Sequence, residues 1–302
     1  MSGARNSVTI RVPASTSNCG AGFDSLGMAL ALYNRVTLSA CDGVSPKPER
    51  AGEQRAQDMV EDTAAAFHRF TGVSPRGFRF GIEGDVPPAR GLGSSVTVIA
   101  GILAGLDALH GTKLSRKVLV EIATALEGHP DNASAGILGG FTISRCDPST
   151  GSYLDSVRVV VPAELAFVVA SPQVELLTKE SRGALPATLP FFDAVKSINS
   201  AAYIAAVFAT GEYQKLQHAV GDFMHEPYRL PKIPGGRSAI EGGITAGALT
   251  GWLSGSGSSV LCVCCAPAAD AVQAAMAERF RRESIRCETR LLLADNEGLR
   301  IE

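Results

Sequence analysis

The sequence predicts an α+β protein of two packed layers, because short strand and helix patterns mix without the steady alternation of a parallel doubly wound sheet. The 302 residues are 45% apolar and 19% charged, so the chain can bury a large core. A chain of this length usually divides into two domains, and we place them at residues 1–155 and 156–302.

The apolar patterns assign elements to each domain. The first domain is predicted to contain strands at 8–12, 35–39, 77–83 and 136–144 and helices at 57–70, 94–109 and 115–126. The second is predicted to contain strands at 165–170, 260–265 and 286–293 and helices at 191–210, 212–223, 236–249 and 268–282. The apolar run after Asp24 is helix-like, and the polar segment 42–55 is predicted to be an exposed loop.

Charge and composition exclude several classes of partner. The formal net charge is −2 and the basic residues are scattered, so no nucleic acid is expected as a partner. The N-terminus lacks the apolar stretch of a signal peptide, and no apolar run approaches the roughly 18 residues of a membrane span. We therefore expect no membrane contact and a cytoplasmic location.

The seven cysteines show no spacing typical of a disulfide framework, and we expect reduced thiols. Cys262, Cys264 and Cys265 resemble a metal site in their spacing. They lie in an apolar segment, Val260 to Cys265, that is typical of a buried strand with cysteine as a small hydrophobic residue.

A glycine-rich loop at residues 88–95 is the strongest local signal. The segment reads Pro88-Ala89-Arg90-Gly91-Leu92-Gly93-Ser94-Ser95 and leads directly into an apolar helix pattern. Glycines let backbone N–H groups approach a ligand, and the N-terminus of a helix favours an anion. A phosphate site and a plain helix cap remain equal alternatives from this loop alone. The Walker and Rossmann patterns do not occur.

Polar groups also gather between a predicted strand and the helix-like run, at residues 13–24. Asn18 can donate and accept hydrogen bonds, and the carboxylate of Asp24 suits an ammonium group. A simple strand-to-helix loop explains the segment equally well.

Residues 127–132 place two carboxylates, an imidazole and an amide at the end of a predicted helix, in Glu127, His129, Asp131 and Asn132. The negative end of a helix dipole disfavours carboxylates, which indicates a nearby cation. A solvated turn remains an equal alternative.

Two arginines, Arg182 and Arg229, lie just outside predicted elements and could together hold a carboxylate or phosphate by paired hydrogen bonds. Each arginine taken singly is typical of a surface position. A second glycine loop, Ser254-Gly255-Ser256-Gly257, precedes a buried strand and leaves no room for large side chains.

In combination, residues 13–24, 90–95 and 254–257 resemble the three motifs of the GHMP small-molecule kinases, in the same order and over nearly the whole chain. The resemblance implies a two-layer fold with an N-terminal unit like the second domain of ribosomal protein S5 and a ferredoxin-like C-terminal unit. Asn18, Asp24, residues 127–132, Thr178, Arg182 and Arg229 are similar to the branch of the family that acts on L-homoserine.

The resemblance implies transfer of the ATP γ-phosphoryl group to the side-chain hydroxyl of L-homoserine, for threonine synthesis. By likeness, residues 88–95 and 255–257 would bind ATP, and Ser95 and Glu127 would hold Mg²⁺. The residues that would bind the amino acid are Asn18, Asp24, His129, Asp131, Asn132, Thr178, Arg182 and Arg229.

Asp131 and Arg182 are the residues expected to act at the reacting centre. Asp131 is the carboxylate we nominate as a base, although a loose phosphoryl-transfer transition state needs positioning and charge neutralisation more than proton abstraction. The alternatives are another acceptor, namely a different amino alcohol, a mevalonate-like compound or a sugar, and a non-catalytic sensor on the same fold. The oligomeric state is left open, with a homodimer as the candidate.

Overall fold

The computed structural model describes residues 6–174, 178–219 and 221–302, with the side chains of 178–180 excepted. The strands are β1 (Ser7–Ser17), β2 (Leu26–Ala40), β3 (Pro46–Pro48), β4 (Phe78–Gly84), β5 (Phe141–Cys146), β6 (Tyr153–Val159), β7 (Leu165–Pro172), β8 (Thr250–Leu253), β9 (Val260–Cys265), β10 (Cys287–Leu292) and β11 (Arg300–Ile301). The helices are α1 (Gln57–Thr71), α2 (Ser94–His110), α3 (Arg116–Glu127), α4 (Asp131–Leu138), α5 (Thr178–Gly183), α6 (Phe191–Thr210), α7 (Glu226–Arg229), α8 (Gly236–Thr245) and α9 (Ala269–Arg282).

The strands form two sheets, which confirms the α+β class. The first sheet has the order β11-β1-β2-β4-β3, and β5 pairs with the start of β2 and with β6. Helices α1 to α4 pack against it and against one another, and apolar side chains of β1, β2 and α2 form its core.

The second sheet has the order β10-β7-β9-β8, with every pairing antiparallel. Helices lie between β7 and β8, the strands β8 and β9 are consecutive, and α9 precedes β10, which is the element sequence of the ferredoxin-like unit that the resemblance implied. Helices α8 and α9 cover one face of this sheet.

A single apolar cluster joins the two sheets. It includes Met28 and Leu30 of β2, Phe167 of β7 and Trp252 of β8, all buried. The ring of Phe208 from α6 stacks on Phe141 of β5 with centroids 4.2 Å apart. The two units are therefore held together by a shared core as well as by their connections.

Four sequence predictions were wrong. Residues 26–32 continue the long strand β2, and residues 136–138 end α4, because short apolar runs fit a strand or a buried helix equally well. Residues 213–218 form a 3₁₀ segment where a helix was expected through 223. The expected loop at 42–55 contains β3 and a 3₁₀ turn, and it buries Glu53 because two backbone N–H groups bind that carboxylate.

Strand pairing bears on the two-domain division at 155. That position lies inside β6, whose pairing with β5 continues to Val159. The last strand, β11, returns to pair with β1 in the first sheet. The first sheet therefore extends past residue 155 and also includes the C-terminal strand β11. The division of the chain at residue 155 remains a prediction.

The remaining sequence expectations for this scaffold concern thiols and membranes. Cys262 and Cys264 are buried in β9, and every cysteine in the described part of the chain is a free thiol, as predicted. Among the described residues, no helix is both long and apolar enough to cross a membrane.

Helix α2 lies close to β2 because two glycines face the strand. A Cβ built on Gly101 would stand 2.5 Å from Cγ2 of Val36, and one on Gly105 would stand 2.6 Å from Cδ1 of Leu38. These distances are much shorter than a van der Waals contact between carbon atoms. The helix can therefore pack this closely on the sheet only with glycine at both positions. This contact also fixes the position of the loop that precedes α2.

We predict that Gly101→Ala lowers the free energy of unfolding by about 1–2 kcal/mol, because overpacking against Val36 outweighs the gain in helix propensity. Urea denaturation measures the change. Gly52→Ala is the matched control, since no atom of the described residues lies within 4 Å of the place its Cβ would take, and it should leave stability within about 0.5 kcal/mol of wild type. A Gly101→Ala protein as stable as the control would contradict this account of the packing.

Candidate active site

One cavity of about 900 Å³ lies between the first sheet and the loops of the second unit. The residues predicted for the site that line this cavity are Asn18, Asp24, Pro88, Ala89, Gly91, Gly93, Ser94, Ser95, Glu127, His129, Asp131, Asn132, Arg182, Arg229, Gly255 and Ser256. The three motif segments therefore meet at one place, although they are far apart in the sequence.

The glycine loop at 88–95 opens α2. Gly93 is the N-cap residue, with φ of 67°, and no side chain caps the helix. Ser94 and Ser95 are the first helical residues, and no acidic residue lies in the first turn. Uncapped N–H groups and the positive end of the dipole thus border the cavity, which favours an anion over the plain cap alternative.

Backbone contacts hold this loop against the two other motif segments. The N–H of Ser15 donates to the carbonyl of Leu92 at 3.1 Å, and the hydroxyl of Ser254 donates to the carbonyl of Gly91 at 2.7 Å. Gly91 has φ of 72°, and a Cβ there would overlap the carbonyl oxygen of Ser254. Only a glycine allows the second glycine loop to approach so closely.

Three residues predicted to bind ATP do not line the cavity. Leu92 is buried in the core, Arg90 accepts the N–H of Ser259 on its carbonyl at 3.1 Å, and the N–H of Gly257 donates to Ser254 at 2.9 Å. Their observed contacts shape the two loops. Thr178 is the first residue of α5, and its side chain lies outside the described part of the structure.

Asn18 holds the first motif in its turn. Its φ is 66°, its amide Nδ2 donates to the carbonyl of Gly255 at 3.2 Å, and its Oδ1 accepts the N–H of Asp24 at 3.1 Å. Asn18, which the sequence analysis expected to bind the substrate, thus lines the cavity. It also connects Asp24 to the second glycine loop.

Ser95 and Glu127 bring two oxygen ligands together. Glu127 is the last residue of α3, where burial raises the pKa of its carboxyl and a hydrogen bond with Ser95 partly opposes that rise. A hydroxyl and a buried carboxylate beside an anion-binding helix end are the donors that a hard divalent cation prefers. The residues present therefore fit Mg²⁺.

The end-of-helix prediction for residues 127–132 was correct for Glu127 and wrong for Asp131. Asp131 begins α4, so the helix dipole stabilises its carboxylate, which also accepts the N–H of Asn132 at 2.7 Å. His129 donates from Nδ1 to Asp131 at 2.7 Å. Burial would lower the pKa of the His129 imidazole, but the hydrogen bond and charge of Asp131 outweigh burial and raise it.

Asn132 contacts strand β1. Its Oδ1 accepts the hydroxyl of Ser15 at 2.8 Å, and its Nδ2 donates to the hydroxyl of Ser17 at 3.1 Å. Because Ser15 also binds Leu92 through its N–H group, Asn132 ties α4 to the strand that supports the phosphate loop.

Asp24 and Arg182 form a two-bond ion pair at the cavity wall. Nη2 of Arg182 lies 2.6 Å from Oδ1 of Asp24, and Nη1 lies 3.1 Å from Oδ2. The ligand atoms of Asp24, His129 and Asp131 all lie within 4.8 Å of one another. A cluster of alternating charge therefore forms one end of the cavity.

Arg229 and Arg182 converge, as the sequence analysis anticipated. Their guanidinium carbons lie 5.2 and 5.3 Å from the centre of the Phe23 ring. Burial and the charge of Arg182 lower the pKa of Arg229 to about 10. A cation held at this cost beside a second cation favours an anionic group in the space between them.

The other end of the cavity was largely missed from the sequence. Arg50, Gly52, Glu53 and Arg55 line it, within the segment expected to be an exposed loop. The apolar side chains there belong to Met59, Ile82, Val86 and Val98. These residues come from separate segments of the chain, which no local sequence pattern connects.

Comparison with known proteins identifies the family of this chain. The model for the N-terminal domain of GHMP kinases matches residues 58–140, and the model for their C-terminal domain matches residues 204–282. The homoserine kinase of Moorella thermoacetica is 39% identical over 295 residues, which cover 96% of this chain and 98% of that protein. The homoserine kinase of Carboxydothermus hydrogenoformans is 37% identical, with 93% and 92% covered.

Solved structures share the fold. A homoserine kinase from Cytophaga hutchinsonii superposes with a TM-score of 0.89 at 26% identity, over 100% of this chain and 99% of that one. A mevalonate diphosphate decarboxylase from Enterococcus faecalis has a TM-score of 0.68 at 16% identity, over 98% of each chain, and shares the fold alone. The chain belongs to the GHMP kinases and, within them, to the homoserine kinase family.

Proposed function

We propose that this protein transfers the γ-phosphoryl group of ATP to the side-chain hydroxyl of L-homoserine, giving O-phospho-L-homoserine and ADP and releasing the hydroxyl proton. The observation that carries the proposal is that one cavity joins an anion-binding loop to a cluster of two arginines and two carboxylates. The product is an intermediate of threonine synthesis, and a cytoplasmic location goes with this role.

At the nucleotide end, the N–H groups of the loop at 88–95 and the start of α2 would bind the phosphates. Gly255 and Ser256 supply the opposite wall. Met59, Ile82 and Val98 give the far end an apolar lining that suits a nucleobase.

Ser95 and Glu127 are the residues that would hold Mg²⁺. When bound, the ion supplies positive charge to the β- and γ-phosphate oxygens. Ser95 lies in the first turn of α2, next to the phosphate loop, and Glu127 at the end of α3 lines the same cavity.

At the acceptor end, the internal ion pair matches the charges of a free amino acid. Asp24 and Arg182 neutralise each other, with Nη2 of Arg182 2.6 Å from Oδ1 of Asp24. A zwitterionic amino acid carries the same two charges and could pair with each of these side chains in place of the other. Its ammonium would contact Asp24, and its carboxylate would lie between Arg182 and Arg229. A sugar or mevalonate has no ammonium for Asp24, which makes those acceptors the less suitable alternative.

A non-catalytic sensor would not need metal ligands, yet Ser95 and Glu127 are both present and both line the cavity. Asp131 is the carboxylate that we nominated as a general base. It is 1% exposed, however, and it already accepts hydrogen bonds from His129 and from the N–H of Asn132. We therefore propose that Asp131 mainly orients the acceptor, while Arg182 neutralises charge near the reacting centre.

The experiment that tests the function is ADP release with MgATP against L-homoserine, L-serine, L-threonine, mevalonate and galactose at equal concentrations. We expect kcat/KM for homoserine to exceed every other value by at least about 100-fold, since the site discriminates both charged groups. Absence of homoserine-dependent ADP release would overturn the assignment.

We predict that Asp131→Asn keeps turnover within about tenfold of wild type and raises the KM for homoserine by about tenfold or more, because the amide still accepts from His129 without its negative charge. Steady-state kinetics with each substrate varied in turn separates the two effects. Asp155→Asn, an exposed carboxylate outside the cavity, is the control. Loss of turnover with an unchanged homoserine KM would show that Asp131 acts as a true base.

A further inference from the structure

His225 is a buried imidazole that none of the assignments above uses. It is 0% exposed, and its Nε2–H donates to the carbonyl of Gly20 at 2.8 Å. Its ring stacks on Phe23, with centroids 5.3 Å apart and planes 29° from parallel. His225 therefore contacts two residues of the Gly20–Asp24 segment, Gly20 and Phe23, at the acceptor end of the cavity.

The ring of Phe23 is the surface on which the acceptor's two arginines converge. The guanidinium groups of Arg182 and Arg229 both stand about 5 Å from its centre. Asp24, the next residue, holds Arg182 by two hydrogen bonds. Any displacement of Phe23 would therefore move the cationic groups together with the carboxylate that faces them.

The backbone fixes His225 relative to Arg229. The carboxylate of Asp222 accepts the N–H groups of Met224, His225 and Glu226, at 2.9, 2.6 and 2.7 Å. Glu226 begins α7, and Arg229 is the last residue of that helix. One short segment thus carries the imidazole that supports Phe23 and one of the two guanidinium groups above it.

We propose that His225 is a positioning residue for the acceptor amino acid: it holds the Gly20–Asp24 segment and the Phe23 ring so that Arg182, Arg229 and Asp24 present matched charges to one zwitterion. The inference rests on the proposed function, because it assigns His225 to the acceptor end of that site. It involves no contact between His225 and ATP.

The neutral form of the ring suits this role. Burial lowers the pKa of the His225 imidazole, and the charge of Arg229 lowers it further, while Asp222 and Asp24 oppose the change. Within the described part of the chain, Nδ1 is buried without a hydrogen-bond partner, so a proton there would be unsatisfied and would also be opposed by the charge of Arg229. The ring therefore acts through stacking and one donated hydrogen bond.

Two variants separate these contributions. His225→Phe keeps a ring against Phe23 and removes the donor to Gly20, whereas His225→Gln keeps a donor and removes the ring. We expect His225→Phe to raise the homoserine KM at least about tenfold, with kcat and the ATP KM within about threefold of wild type, and His225→Gln to recover part of the loss. His218→Gln, at an exposed histidine, should match wild type.

Calorimetric titration of homoserine measures the same effect without turnover, and thermal unfolding establishes that each variant is folded. Unchanged homoserine KM and affinity in both variants would overturn the positioning role, as would equal losses in homoserine KM, ATP KM and kcat. A wild-type protein without homoserine-dependent ADP release would overturn the proposed function instead. The two failures are therefore distinguishable in one set of assays.

Discussion

The close approach of three backbone segments is the constraint on which the site depends. The end of β1, the loop before α2 and the loop after β8 meet through the Ser15–Leu92, Ser254–Gly91 and Gly255–Ser17 contacts, at 3.1, 2.7 and 3.3 Å. Side chains at the meeting point are small or absent, so the N–H groups at the start of α2 remain open to the cavity. The shared apolar core and the glycines of α2 keep these segments at the required distance.

The acceptor end depends on a balance of charge. Two arginines and two carboxylates lie around Phe23 and α4, and the Asp24–Arg182 pair neutralises part of that charge when no acceptor is bound. Such a pair costs less than an unpaired charge, and under the proposed function a ligand with the same two charges would replace it. The arrangement links the choice of a zwitterionic acceptor to the ion pair already present in the fold.

Local patterns predicted part of this structure. The helix at 191–210 and the strand at 260–265 have the predicted bounds, because long apolar periodicity and a continuous apolar run are strong signals. The motif loops were found from their glycines and polar residues. The sequence analysis did not predict the apolar end of the cavity that suits a nucleobase, or the role of Phe23. Both depend on contacts between segments that are far apart in the sequence. His225 had a weak signal, an acidic residue three positions earlier and a proline just inside the following helix, which indicates a capped turn but not what the imidazole contacts.

The most direct test of the central constraint is the affinity for MgADP of two glycine variants, measured by calorimetry on folded protein. Gly91 and Gly111 have nearly the same positive φ, 72° and 66°, but of these two only Gly91 has another described segment where its Cβ would stand. Gly111→Ala therefore carries the same backbone strain without the close contact. The account predicts that Gly91→Ala weakens MgADP binding at least about tenfold and that Gly111→Ala binds like wild type. Equal affinities in the two variants would contradict it.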